Sequence, residues 1–110
     1  MKVDKKGHTT ILRETKGDIL AFIDNVSNQY ASYKDQNLIL DVTQDKNVTI
    51  SDIINFKKLA KQHQKAKKSF VIVSDAVEFN ELPDDLTVVP SLLEAHDIIE
   101  MEEIERDLGF

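Results

Sequence analysis

The chain has 110 residues, 41% of them hydrophobic and 31% charged, with 14 Lys or Arg against 20 Asp or Glu and a net charge of −6. That length and balance predict one soluble globular domain over residues 1–110, and the absence of cysteine excludes a disulfide scaffold, a thiol nucleophile and a cysteine metal site. The longest apolar run, Ile19 to Ile23, is far short of the ~20 residues of a membrane span, and Met1 to Gly7 lacks the apolar stretch of a signal peptide, so the expected location is the cytoplasm, with no membrane partner.

Lys2 to Lys5 and His8 to Arg13 read as a hairpin about a turn at Lys6-Gly7, the second arm carrying β-branched Thr9, Thr10 and Ile11. Asp18 is a helix N-cap residue. After it, Ile19, Phe22, Ile23, Val26, Tyr30 and Tyr33 recur at three- and four-residue steps, which lays one apolar stripe along a helix. Asn37 to Val42 contains the aliphatic run Leu38-Ile39-Leu40 and suits a central strand covered on both faces. Thr49 with Asp52 three residues on is a variant capping box, with Asp in place of the usual Glu. It opens a helix predicted to run to about Ala66, with Ile53, Phe56, Leu59, Ala60 and His63 on its inner face.

Phe70 to Val73 is a second buried strand, Asp75 to Pro83 a loop, and Leu86 to Val89 a short third strand. Ser91 and Glu94 form a capping box behind Pro90, and Leu92, Ala95, Ile98, Ile99, Met101, Ile104 and Leu108 are expected to continue one apolar stripe to Gly109. Strands alternating with helices predict an α/β fold, with a mixed, mainly parallel β-sheet and helices packed against it.

Signatures of catalysis are missing. His8, His63 and His96 are too far apart for a ligand pair on one helix turn, so no metal is expected. The three glycines, Gly7, Gly17 and Gly109, make no phosphate-binding loop and no Gly-x-Ser-x-Gly elbow, so neither a cofactor nor an enzyme is predicted. Neighbouring acids such as Glu102 and Glu103 point about 100° apart on a helix and do not converge.

Charge is distributed unevenly. Residues 1–74 hold 13 basic and 8 acidic residues, whereas residues 75–110 hold 1 basic and 12 acidic ones. This argues against nucleic acid, whose phosphates need clustered positive charge. Lys57, Lys58 and Lys61, with Lys65, Lys67 and Lys68 behind them, form a basic face on the second helix. Glu102, Glu103, Glu105 and Asp107 stand at the C-terminal end of the last helix, where each opposes the helix dipole by about 0.3–1 kcal/mol at low salt. Solubility or a basic partner would favour that placement. A homo-oligomer joining one copy's basic helix to another's acidic tail is also compatible with it.

The order of elements resembles the STAS domain, the fold of bacterial anti-sigma factor antagonists, as a small stand-alone member. The resemblance covers nearly the whole chain and rests on Asn37-Leu38-Ile39-Leu40-Asp41-Val42, the capped start at Thr49, Phe70-Val71-Ile72-Val73, and Val88-Val89-Pro90-Ser91-Leu92-Leu93-Glu94-Ala95. In that family a serine at the start of the helix after the central strand is phosphorylated to switch partner binding. An ungapped match places Thr49 in the capping role, Ile50 at the phosphoacceptor position and Asp52 at a glycine, with Ser51 the neighbouring hydroxyl.

The resemblance implies a non-catalytic regulatory module that binds a protein partner, such as an anti-sigma factor or a kinase-like regulator. Thr49, Ser51 and Asp52 are the expected contact or phosphorylation site, and Lys57, Lys58 and Lys61 the adjoining face. The alternatives are a phosphorylation-switched anti-sigma factor antagonist and a small nucleotide- or metabolite-binding accessory domain.

Overall fold

Asn37–Asp41 and Phe70–Val73 carry aliphatic runs whose two faces cannot both be left to water, and Thr9–Arg13 adds the pair Ile11-Leu12, one side chain to each face. In the computed structural model, which describes residues 1–109, they are the three inner strands of a five-stranded sheet. The strands are β1 (Lys2–Lys6), β2 (Thr9–Arg13), β3 (Asn37–Asp41), β4 (Phe70–Val73) and β5 (Thr87–Val89), and they lie side by side in chain order. The expected α/β class is therefore observed; Phe110, the last residue of the expected domain, lies outside the described residues. β1 runs antiparallel to β2, and the other pairs are parallel. Gly7 turns the hairpin with a φ of +60°, a conformation that glycine adopts at no steric cost.

The parallel register lines up Ile11, Ile39 and Val71 on one face and Leu12, Leu40, Ile72 and Val88 on the other. Four helices cover these faces: α1 (Ile19–Asn28), α2 (Ile50–Ile54), α3 (Lys57–Lys65) and α4 (Leu92–Asp107). The crossovers β2-α1-β3 and β3-α2-α3-β4 step the same way across the sheet, and right-handed crossovers then put their helices on one face. Phe22, Val26, Ile53, Phe56, Leu59 and Ala60 pack there against Leu12, Leu38, Leu40 and Ile72. The β4-to-β5 crossover has no α-helix, but Leu82 and Leu86 from it join the same core. On the opposite face α4 is the one covering helix among the described residues, and it seats Ala95 and Ile99 on Ile11, Ile39, Val71 and Val73.

The structure departs from the sequence reading in three helices. α1 stops at Asn28 and a single 3-10 turn, Tyr30–Ser32, brings Tyr33 into the core. The helix expected from Thr49 to Ala66 is broken into α2 and α3. At the break Asn55 N–H donates to the Asp52 carbonyl at 3.2 Å and Phe56 N–H to that of Ile53 at 3.0 Å. Such i-to-i+3 bonds overwind the chain so that residues three apart eclipse, and Ile53 and Phe56 both become fully buried.

The third departure is in α4, where the single expected stripe is divided. Ala95 and Ile99 are buried and Leu92 and Ile98 half-buried, whereas Met101, Ile104 and Leu108 face outward. At about 100° per residue, those three lie across the helix from Ala95 and Ile99. The far end of α4 is held instead by Arg106, whose guanidinium donates to Ser69 Oγ at 3.2 Å and Asn37 Oδ1 at 3.3 Å.

α3 ends in a Schellman motif. Lys67 N–H donates to the Gln64 carbonyl at 2.9 Å and Lys68 N–H to that of His63 at 3.2 Å. Lys67 occupies the left-handed position, at φ 63°, that glycine usually fills.

Candidate functional site

In parallel α/β sheets, ligands bind outside the carboxyl ends of the strands. Here that rim carries Arg13 and Glu14 after β2, Asp41 at the end of β3 and Ser74 after β4. Each carboxylate there is occupied in shaping a loop. Glu14 is buried and accepts the backbone N–H groups of Lys16 at 2.6 Å, Gly17 at 3.0 Å and Asp18 at 3.3 Å. Those donors replace the water its burial removes, and Gly17 makes the turn possible with a φ of +68°.

Asp41 Oδ1 accepts Thr43 N–H at 3.0 Å and the Thr43 hydroxyl at 2.6 Å, while its Oδ2 lies 3.6 Å from Arg13 Nε. That separation is close enough for charge attraction and too long for a hydrogen bond. Asp45 accepts Asn47 N–H at 2.9 Å, and Lys46 ties the β3–α2 loop to Asp75 through two 3.1 Å contacts. Glu14 and Asp41 thus hold the loops of this rim in shape through backbone and hydroxyl donors.

The start of α2 forms the expected capping box in full. Thr49 Oγ1 accepts Asp52 N–H at 3.2 Å, and Asp52 Oδ2 accepts Thr49 N–H at 3.0 Å. At Ser91 the side chain accepts Glu94 N–H at 3.3 Å. With Thr49 and Asp52 locked to each other, Ser51 projects into solvent from the first turn. Three residues on is Ile54, 41% exposed, and then come Asn55 and Lys58, both exposed. Asn55 Nδ2 donates to the Ser51 carbonyl at 3.2 Å, which steadies this outward strip.

The lysines expected to adjoin it are divided. Lys57 and Lys61 turn to Asp85 before β5, at 3.4 and 3.7 Å, and Lys58 alone of the three continues the Ser51–Ile54 strip. Ile54 was not marked out by the sequence, although its place one residue after Ile53, off the Ile53–Phe56–Ala60 face, is a signal of exposure.

His63 is fully buried and structural. Its Nε2 lies 2.7 Å from the Gln36 carbonyl, which can only accept, so Nε2 carries the proton. Nδ1 is then the acceptor for the Tyr30 hydroxyl at 2.6 Å. Burial, aided by the charge of Lys68, holds the imidazole below its usual pKa and outweighs the Gln36 contact.

Among the described residues, no three His, Cys, Asp or Glu side chains gather as a metal site would require, and no helix is long and apolar enough to cross a membrane. Surface depressions among the described residues hold 240 to 380 Å³, around the low end of the ~300–1,000 Å³ typical of small-molecule pockets. No protein-family model matches the chain, and no curated protein matches it.

Proposed function

We propose that this chain is a non-catalytic, STAS-like regulatory module of the cytoplasm that binds a protein partner through the strip Ser51, Ile54, Asn55 and Lys58. The observation that carries the reading is the exposure of Ile54 beside Ser51 on a helix start fixed by a complete capping box. An apolar anchor ringed by hydroxyl, amide and ammonium groups, on a backbone that does not need to reorganise, is the makeup of a binding hot spot. The STAS resemblance makes an anti-sigma factor or a kinase-like regulator the class of partner.

The test is capture from the native cell with tagged protein. Ser51→Lys and Ile54→Lys alter exposed side chains and leave the capping box in place, so each should keep the wild-type circular dichroism. Each should lower recovery of the same partner by about tenfold, the effect of losing roughly 1.4 kcal/mol. Full recovery of that partner with both variants would sink the proposal.

Ser51 also supports a second reading, a phosphorylation switch, because its exposed hydroxyl sits where a helix start favours negative charge. Mass spectrometry of protein from its own cell should then find phosphate on Ser51 or Thr49, and an unmodified pair removes this reading.

A further inference from the structure

α4 has two apolar faces, and the fold uses one of them. Ala95 and Ile99 meet the sheet, and Arg106 fixes the distal end to Ser69 and Asn37. Across the helix, Leu93 is 73% exposed, Met101 61%, Ile104 53% and Leu108 67%. These four fall within about 80° of arc and extend over roughly 22 Å of helix. From Asp97 onward the spacing is that of a coiled-coil seam, with Met101 and Leu108 at a positions and Asp97 and Ile104 at d positions. The flanking g positions are then Glu100 and Asp107, and the charged e position is Glu105.

We propose that this outer face of α4 docks an amphipathic helix of another protein whose apolar seam is bordered by Lys or Arg. Charge decides the occupant. If a second copy paired α4 with α4, parallel packing would set Glu100 against Glu105, and antiparallel packing would set like against like at both borders. Pairing α4 with a second copy's α3 meets a different obstacle. The outward side chains of α3 are Lys58, Lys61, Gln62, Gln64 and Lys65, which offer no apolar group to fill the spaces between Met101, Ile104 and Leu108. A basic helix with its own leucines satisfies both the seam and its borders. It also accounts for Glu105 and Asp107 at the end of a helix whose dipole they oppose. This surface is separate from the Ser51–Lys58 strip, which lies beyond the opposite face of the sheet.

The test uses two synthetic three-heptad peptides with leucine at every a and d position, one with lysine and one with glutamate at every e and g position. Binding to the whole protein is read by fluorescence anisotropy in low-salt and high-salt buffer. The lysine peptide should bind roughly tenfold or more tighter than the glutamate peptide and weaken with salt. The Met101→Gln/Ile104→Gln double variant keeps every charge and should lose the lysine peptide. Glu100→Lys/Glu105→Lys should reverse the preference, and Ile54→Lys should change neither affinity. The proposal is overturned if neither peptide binds, or if the glutamine variant holds the lysine peptide as well as wild type does. It is equally overturned if light scattering finds a wild-type dimer that the glutamine variant makes monomeric, since the occupant is then a second copy.

Discussion

Replacing His63 by leucine tests the assignment of its proton as well as its contribution to stability. The imidazole is buried on all sides and bonded at both nitrogens, to Tyr30 at 2.6 Å and to the Gln36 carbonyl at 2.7 Å. Leucine fills comparable space but abandons both partners. An unsatisfied buried polar group costs about 1–3 kcal/mol. Tyr30 is half-buried and recovers part of its loss from water, so His63→Leu should cost about 2–3 kcal/mol near pH 7.5.

The pH dependence carries the sharper information. The folded pKa of His63 is lowered, so the native state stays neutral where the unfolded chain takes up a proton. The stability that His63 contributes is complete above the unfolded value near 6.5 and is lost as pH falls toward the folded value. The groups that face the ring are Lys68 and the Tyr30 hydroxyl, whose own pKa is raised by burial and which stays protonated throughout this range. His96 is also lowered, first by burial and then by Lys6, but it is present in both proteins and cancels in their difference. The gap between wild type and His63→Leu should therefore narrow by up to about 1.4 kcal/mol between pH 7.5 and pH 5.5. Urea unfolding followed by circular dichroism at the two pH values measures it. A gap that stays constant or widens on acidification would refute the neutral, Nε2-protonated assignment.

Lys67→Gly should stabilise the protein by about 0.5–1 kcal/mol, because the relief of a left-handed side-chain clash exceeds the added freedom of the unfolded chain; thermal unfolding should show a higher midpoint, and a lower one would mean that the lysine side chain itself holds the turn. Arg106→Met should cost about 1–2 kcal/mol, since Asn37 Oδ1 retains its 2.9 Å bond from Ser69 N–H while Ser69 Oγ loses its donor. Hydrogen exchange should then accelerate in the last turns of α4 more than in β3, and uniform acceleration would contradict a local anchor.

The sheet was legible because its strands are short aliphatic runs that can exist only with both faces covered, as Leu38-Ile39-Leu40 and Phe70 to Val73 are. The break between α2 and α3 was not. Ile53, Phe56, Leu59, Ala60 and His63 fit one 3.6-residue period well, and the 3-10 step at Asn55 and Phe56 shifts the phase too little to mark a composition-based reading. The cap of Thr49 and Asp52 was legible because a capping box is a local signature in sequence, whereas Ser51 was singled out by the STAS resemblance. The diversion of Lys57 and Lys61 to Asp85 was hidden because that carboxylate is more than 20 residues away along the chain. Tyr30 and His63 met for the same kind of reason: 33 residues separate them, and only the fold brings the hydroxyl to the ring.

α4 explains why apolar periodicity alone could not say which residues would be inside. Its eight apolar positions from Leu92 to Leu108 span more than half the helix circumference, and a flat sheet can cover only one side of a cylinder. The sheet takes Ala95 and Ile99, whose small size and branching allow close approach to Ile39 and Val71. The choice is fixed at the far end by Arg106, the single cation among the last 36 residues, which turns inward to Asn37 and Ser69. Turning that charge inward leaves acids as the only charges that α4 itself presents around Met101, Ile104 and Leu108. The contact that anchors the helix thereby also sets the sign of the surface it presents, so that a variant such as Arg106→Met would loosen α4 without making its outer face less selective for a basic helix.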